Sequence, residues 1–191
     1  MLGAVLNGGQ STRMGEDKSS LVFDGLTFVE RAVMTVEAVA DHVVVIGSPA
    51  GDVDVEVLSD AVPDAGPLAG LVTAFHRAAG EPVLVLAVDL PLVSSSLLAA
   101  VSTALVRPDQ AVVVRQDGRP QPLCAVYGAG LIELAHHRLA TDDRSMRTFL
   151  RSVPLWSMLD VPTPTVWNIN TPEDLQRLRD ESPNRPDGDS S

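Results

Sequence analysis

Apolar residues recur with two different periods along this chain. Short valine-rich runs bounded by turn residues are typical of buried strands, and longer stretches with apolar residues three or four positions apart indicate helices. The predicted strands are Met1 to Leu6, Val43 to Ile46, Val55 to Leu58, Val83 to Val88 and Ala111 to Val114. The predicted helices are Phe28 to Val39, Leu68 to Ala79 and Ser95 to Leu105. This alternation predicts a Rossmann-like α/β fold, with a mostly parallel sheet and helices on both faces.

The pattern changes in the second half of the chain. Apolar runs on either side of Asp117-Gly118 form a hairpin signal, so a small antiparallel portion is expected. Helices are predicted at Gly130 to Leu139, Ser145 to Arg151 and from Thr171 onward, with an edge strand at Trp156 to Val161. Beyond Glu181 the composition turns to Ser, Pro, Asp, Asn and Gly. We therefore expect one domain over residues 1–181 and a disordered tail over residues 182–191.

Composition limits the classes of function. The chain has 191 residues, of which 45% are apolar, enough for one well-packed domain. Its 25 acidic and 14 basic residues give a net charge of −11, which argues against binding nucleic acid through a basic face. The single cysteine, Cys124, cannot form an intrachain disulfide. Without a signal-like start or an apolar run near 18 residues, a cytoplasmic protein with no membrane contact is expected.

The stretch from Leu6 to Lys18 contains three glycines, Arg13 and the only lysine of the chain. It follows a predicted strand and precedes a helix, an arrangement in which backbone N–H groups can surround phosphate oxygens. The P-loop spacing fails, because five residues separate Gly9 from Gly15 and Lys18 comes three residues after Gly15. The dinucleotide fingerprint fails as well. Either a third kind of nucleotide loop or a plain surface turn fits these residues.

Four motifs along the chain resemble those of one family. The stretch Gly-Gly-Gln-Ser-Thr-Arg-Met-Gly-Glu-Asp-Lys, residues 8–18, resembles the signature of the nucleotidyltransferases that act on molybdopterin, and among them the guanylyltransferases. Gly66-Pro-Leu-Ala-Gly70, Asp89-Leu-Pro91 and Asn168-Ile-Asn170-Thr-Pro-Glu-Asp-Leu175 match the other three motifs. The resemblance extends over nearly the whole chain, to about Leu178.

The resemblance implies a reaction and a nucleotide site. GMP would pass from Mg-GTP to the terminal phosphate of molybdopterin, the organic part of the molybdenum cofactor, and pyrophosphate would leave. The implied nucleotide-binding residues are Leu6, Asn7, Gly8, Gly9, Arg13, Lys18, Asp60 and Asp89. Among them Arg13, Lys18 and Asp89 are the expected catalytic residues, and Asp89 is the expected Mg²⁺ ligand. A carboxylate directly after a buried strand suits this hard cation, which keeps several waters and phosphate oxygens as ligands.

The pterin side of the site is expected to include Asn168, Asn170, Arg119 and Arg144. Asparagines separated by one residue point the same way on an extended strand, so both amides could reach one polar ligand. The alternative is that the asparagines only cap the helix after Thr171. The arginines, likewise, could be ordinary exposed side chains.

The identity of the base depends on the loop. Gly8 leaves more room for a purine than an alanine would, although Asn7 stands where the family usually has alanine. CMP transfer from CTP to the same cofactor, or nucleotidyl transfer to a sugar phosphate, therefore remain alternatives. A nucleotide-binding regulator or a cofactor-delivery adaptor is the alternative without turnover. Further expected partners are other cofactor-biosynthesis proteins and the molybdoenzymes that receive the product.

Overall fold

The computed structural model describes residues 1–7, 18–49, 53–60, 62 and 65–181, with the side chain of Lys18 left out. Within these ranges seven strands form one sheet in the order β5-β4-β1-β6-β8-β7-β9, and two short strands pair separately. The strands are β1 (Leu2–Asn7), β2 (Val22–Phe23), β3 (Leu26–Thr27), β4 (His42–Gly47), β5 (Glu56–Leu58), β6 (Val83–Ala87), β7 (Gln110–Gln116), β8 (Arg119–Tyr127) and β9 (Leu155–Val161).

Strand direction divides the sheet into two parts. Strands β5, β4, β1 and β6 are parallel neighbours, whereas β8 runs antiparallel to both β6 and β7. Strand β9 pairs in parallel with β7 at the edge of the described sheet. These pairings confirm the predicted α/β fold, with a mostly parallel sheet, a small antiparallel portion and an edge strand near Trp156.

Helices cover both faces of the sheet, as the alternating pattern predicted. The described helices are α1 (Phe28–Glu37), α2 (Pro67–Ala78), α3 (Ser95–Thr103), α4 (Ile132–Leu139), α5 (Met146–Ser152) and α6 (Pro172–Glu181). Buried side chains of α2, α4 and α5 pack on one face, and those of α1 and α3 pack on the other. Helix α1 begins with a capping box, in which the Thr27 hydroxyl accepts from the Glu30 amide and the Glu30 carboxylate accepts from the Thr27 amide.

The β2–β3 hairpin was not predicted. It turns at Asp24-Gly25, with φ values of 48° and 76°, and the predicted hairpin between β7 and β8 turns at Asp117-Gly118, with φ values of 52° and 72°. The same Asp-Gly signal therefore marks both turns. The signal at Asp24-Gly25 was overlooked because β2 and β3 have only two residues each, too few to show an alternation of apolar and polar residues.

A separate hydrophobic cluster joins the two ends of the described chain. Leu21, Phe23 and Phe28, near its beginning, pack with Ile169, Leu175 and Leu178, near its end. We call these six residues the terminal cluster. Arg179 of α6 also donates to the Val22 carbonyl oxygen at 3.1 Å. The segment that carries the Asn-x-Asn motif is thereby packed against the residues that follow the glycine-rich stretch.

No helix in the described part of the chain is long and apolar enough to cross a membrane. The expected tail, residues 182–191, lies outside the described residues, so the domain limits remain a prediction.

Candidate active site

The four parallel strands β5, β4, β1 and β6 end on the same side of the sheet, which we call its carboxyl edge. Asn7 of β1 pairs with Gly47 of β4, and the preceding residue, Leu6, pairs with Ala87 of β6. The amide of Val88 then donates to the Leu6 carbonyl oxygen at 3.2 Å, so β6 stays beside β1 to the end of both strands. Residues that follow these strands are therefore neighbours in space, which is the usual position of a ligand site in such sheets.

The backbone of Asn7 is in close contact with Gly47. Gly47 has a φ of 114°, and a Cβ atom added there would overlap the Asn7 carbonyl oxygen. A larger residue at position 47 would displace the end of β1, from which the glycine-rich stretch continues. Sequence reasoning missed Gly47. The signal that could have identified it is a glycine at the carboxyl end of a strand that neighbours the loop strand.

Asp60 and Leu6 meet at the surface of α2. A Cβ atom added to Gly70 of α2 would lie 3.1 Å from the Leu6 Cδ2 atom and 3.4 Å from the Asp60 Oδ1 atom. The absence of a side chain at Gly70 therefore makes room for both neighbours. Asp60 is partly buried there, and burial raises the pKa of its carboxyl group above the usual aspartate value. The structure thus places Asp60 beside Leu6 near the end of β1, and its contact with the nucleotide stays a prediction.

Asp89 follows β6 and lies between the end of β1 and the C-terminal segment. Its carbonyl oxygen accepts from the amide of Ile169 at 2.9 Å. Its carboxylate oxygen Oδ1 accepts from the side-chain amide of Asn168 at 3.4 Å. Asp89 and Asn168, which are 79 positions apart in the sequence, are therefore in contact at the carboxyl edge of the sheet.

The two asparagines of the Asn-x-Asn motif occupy different environments. Asn168 is partly buried against Asp89, whereas Asn170 is exposed at the start of α6. The backbone amides of Asn170 and Thr171 both donate to the Asp174 carboxylate at 3.0 Å, and Thr171 accepts from the Asp174 amide at 3.1 Å. The motif therefore has two parts. Its second half caps the start of α6, and the side-chain amide of Asn168 points at Asp89, the acid that follows β6.

The two candidate arginines lie on different elements. Arg119 begins β8 at the hairpin tip, and because Cys124 pairs with Leu86, residues 119–122 extend past the end of β6 on the Asp89 side. Arg144 lies between α4 and α5, where its Nε donates to the Thr141 carbonyl oxygen at 3.2 Å. Both side chains are exposed. The described contacts join neither guanidinium to Asp89 or Asn168.

The glycine-rich stretch is described only at its two ends. Gly8, Gly9 and Arg13 lie outside the described residues, as does the side chain of Lys18. The backbone of Lys18 begins a short 3-10 helix, Lys18–Ser20. This helix leads to Leu21, a member of the terminal cluster, so the end of the stretch is anchored beside the C-terminal segment.

The donor groups at the carboxyl edge suit a cation that is held mainly by its substrate. In the described part of the chain, no group of three or more His, Cys, Asp and Glu residues could form a metal site by itself. A single carboxylate, that of Asp89, is sufficient for Mg²⁺ when phosphate oxygens and water complete the coordination. The residues present therefore fit a metal that arrives with a nucleoside triphosphate.

An α/β sheet with acids and amides at its carboxyl edge, and with a glycine-rich sequence directly after β1, is typical of nucleotide-binding α/β proteins. Comparisons with known proteins narrow this class. Residues 3–158 match the family described as MobA-like NTP transferase domain, and the chain belongs to this family.

Relatives of similar length share the family. The probable molybdenum cofactor guanylyltransferase of Opitutus terrae is 34% identical over 94% of this chain and 95% of its own length. The molybdenum cofactor guanylyltransferase of Rhizobium johnstonii is 32% identical over 91% of this chain and 88% of its own. The crystal structure of molybdopterin-guanine dinucleotide biosynthesis protein A from Archaeoglobus fulgidus superposes with a TM-score of 0.73 at 21% identity, covering 94% of this chain and 97% of that one. That structural likeness shows the shared fold.

Proposed function

We propose that this protein is a molybdenum cofactor guanylyltransferase, which transfers GMP from Mg-GTP to the terminal phosphate of molybdopterin and releases pyrophosphate. The observation that carries the proposal is the match, over at least 88% of both chains, to relatives that bear this name. The gathering of Asn7, Asp60, Asp89 and Asn168 at the carboxyl edge of the sheet supports it independently. The two substrates, GTP and molybdopterin, are accordingly the partners we propose.

The reaction is a displacement at phosphorus. A terminal phosphate oxygen of molybdopterin forms a bond to the α-phosphorus of GTP, and the bond from that phosphorus to the α,β-bridging oxygen breaks. The attacking phosphate is already anionic, so the reaction needs no general base from the protein. The contribution of the protein is to position two polyanions and to stabilise the charge on the transferring phosphoryl group.

We assign the nucleotide to the edge formed by β1, β4 and β6. The backbone from Leu6 to Gly9 would hold the nucleotide, with Asp60 as a hydrogen-bond acceptor beside Leu6. Asp89 would hold Mg²⁺, which lowers the charge of the phosphates when bound. Arg13 and Lys18 are proposed as the cations for the triphosphate and its leaving group, because a chain with net charge −11 must concentrate positive charge locally to bind GTP.

We assign molybdopterin to the opposite side of Asp89, toward the start of β8 and the start of α6. Arg119 extends past the end of β6 on that side, and Asn170 is exposed there. Arg144 is the further cation that we propose for the phosphorylated pterin. An amide and two guanidinium groups match a ligand that combines a polar ring system with a phosphate.

The proposal is tested by nucleotide choice. Purified protein is mixed with MgCl₂, molybdopterin and either GTP or CTP, and pyrophosphate release and the mass of the dinucleotide product are measured. We expect turnover with GTP and at least about 100-fold lower kcat/KM with CTP, since a site that hydrogen-bonds a base rejects one that leaves its polar groups unpaired. Turnover with CTP alone would identify a cytidylyltransferase, and release with neither nucleotide would contradict the enzyme assignment.

A further inference from the structure

The segment before the Asn-x-Asn motif is attached to the end of β7 by a side chain that imitates a strand partner. The Gln116 Oε1 atom accepts from the Val166 amide at 2.8 Å, and its Nε2 atom donates to the Val166 carbonyl oxygen at 3.4 Å. Thr163 donates to the Asp117 carboxylate at 2.8 Å. Val166 itself is only 2% exposed. The segment therefore reaches the site in one defined position.

Ile169 holds the same segment from the other side. Its side chain is fully buried in the terminal cluster, where it packs with Phe28 and Leu175. Its amide donates to the Asp89 carbonyl oxygen at 2.9 Å. Residue 168 thus lies between two anchored neighbours, Val166 and Ile169, and its backbone has little freedom to move relative to Asp89.

From that fixed position the Asn168 side chain contacts the Asp89 carboxylate. Its Nδ2 atom lies 3.4 Å from the Asp89 Oδ1 atom, and because an ionised carboxylate only accepts hydrogen bonds, the amide nitrogen must be the donor. A neutral donor orients the carboxylate without neutralising it, whereas a lysine or arginine there would compete with a bound cation. This is the arrangement that orients metal ligands in many proteins.

We propose that Asn168 is a positioning residue, which orients the Asp89 carboxylate toward the divalent cation and does not bind the pterin directly. The inference rests on the proposed function, because it assumes that Asp89 is the metal ligand. It separates the roles of the two asparagines. Asn168 acts on the metal through Asp89, and Asn170, exposed two residues later, faces the second substrate.

The test measures metal binding apart from turnover. Mn²⁺ is titrated in the presence of GTP, and free Mn²⁺ is followed by electron paramagnetic resonance for the wild type, Asn168→Ala and the matched amide variant Asn170→Ala. We expect Asn168→Ala to raise the Mn²⁺ Kd about 10-fold, the scale typical of lost ligand-orienting partners. Asn170→Ala is expected to leave that Kd unchanged and to raise the KM for molybdopterin instead.

Coupling to Asp89 gives the sharper result. In an Asp89→Ala background, Asn168→Ala should cause no further rise in the Mn²⁺ Kd, since the group it orients is gone. If Asn168→Ala raises only the KM for molybdopterin, with Mn²⁺ binding as in the wild type, the positioning role is overturned. Asn168→Leu, which keeps the number and branching of the side-chain heavy atoms but has no donor, repeats the test if the alanine variant fails to fold.

The outcome is distinguishable from failure of the proposed function. If the wild type transfers no GMP, that function is wrong, yet the difference in Mn²⁺ Kd between the wild type and Asn168→Ala still decides whether Asn168 orients the metal ligand.

Discussion

At the scale of single residues, the carboxyl edge depends on groups held in environments that cost free energy. Asp60 is partly buried against Gly70 and Leu6, and Gly47 has a backbone conformation that other residues rarely adopt. Neither feature favours folding by itself, because burial penalises a charged carboxylate and positive φ restricts the choice of residue. Both bring polar backbone and side-chain groups to the place where the nucleotide is proposed to bind.

Asp60→Asn tests the ionised carboxylate. Burial raises the pKa of Asp60, so its protonation begins at a higher pH than that of a free aspartate. If the carboxylate accepts a hydrogen bond from GTP, the kcat/KM for GTP should fall with decreasing pH around a midpoint above the usual aspartate pKa. In Asp60→Asn this acid limb should vanish, with kcat/KM about 10- to 100-fold lower at neutral pH. Comparing the two profiles cancels the titration of GTP itself, and identical profiles would remove Asp60 from the nucleotide site.

The same variant has an expected effect on stability. Because the folded-state pKa is raised, Asp60 favours the fold below its unfolded pKa, and this contribution is lost as the pH rises through the folded-state value. Asparagine resembles the protonated form at every pH. Asp60→Asn should therefore raise the unfolding temperature at neutral pH while it weakens GTP binding. A lower unfolding temperature would show that the carboxylate has a structural partner.

Gly47→Ala tests the contact with Asn7, and Gly25→Ala is its matched control. Both glycines have positive φ, but a Cβ atom at Gly25 would meet nothing within 4 Å, whereas one at Gly47 would overlap the Asn7 carbonyl oxygen. Gly25→Ala should lower the free energy of unfolding by about 1–2 kcal/mol, and Gly47→Ala by roughly 2–5 kcal/mol. Urea unfolding measures both. Equal losses would mean that conformational strain alone, and not the overlap, sets the cost.

At the scale of elements, a bulge in β8 changes the antiparallel part of the sheet next to the candidate site. Val113 pairs with Ala125 but the next residue, Val114, pairs with Gln121, so residues 122–124 bulge out of the β7 ladder. Bulges of this kind bend a strand and redirect its side chains. The bulge lies beside the end of β6, since Cys124 still pairs with Leu86, three residues before Asp89.

Tyr127→Phe tests the bond that holds the bulge together. Tyr127 is fully buried, and its hydroxyl donates to the Pro122 carbonyl oxygen at 2.7 Å within the same strand. Phenylalanine keeps the ring, so its main effect is to leave the partly buried Pro122 carbonyl oxygen without this donor. The free energy of unfolding in urea should fall by about 1–2 kcal/mol. An unchanged value would indicate that another donor replaces the hydroxyl.

At the scale of the whole molecule, the C-terminal segment joins parts of the chain that the sheet alone does not connect. It leaves β9 at one edge of the described sheet, is held by Gln116, contacts Asp89 through Asn168 and Ile169, and ends in α6, which packs on the residues after the glycine-rich stretch. The C-terminal segment thus links Asp89, the proposed metal ligand, to the residues that follow the glycine-rich stretch.

A pair of truncations tests this role. Removal of residues 182–191 should leave the unfolding temperature and GMP transfer unchanged, because the polar composition of this stretch offers little to pack. Removal of everything after Thr171 also deletes Leu175 and Leu178, which are 8% and 2% exposed in the terminal cluster. Losing their burial should lower the free energy of unfolding by about 3–6 kcal/mol. Equal behaviour of the two truncations would argue that α6 does not stabilise the fold.

Much of this architecture could be read from local patterns. The valine-rich runs located β1, β4, β5, β6 and β7, and helical spacing located α1, α2 and α3 to within a few residues. Such predictions succeed because burial imposes a period that depends only on the local element. The β2–β3 hairpin was missed because its strands are too short to show a period. The edge position of β9 was predicted correctly.

The sequence by itself determined the order of the elements and the chemical groups that follow the strands, because turn, cap and burial preferences act over a few residues. The tertiary structure alone decided which of those groups meet. A side chain at position 47 would overlap Asn7 only because β4 lies beside β1, and Asn168 reaches Asp89 only because Gln116 and Ile169 fix the segment between them. Contacts between residues that are 79 positions apart depend on the packing of the whole chain, which no local pattern records.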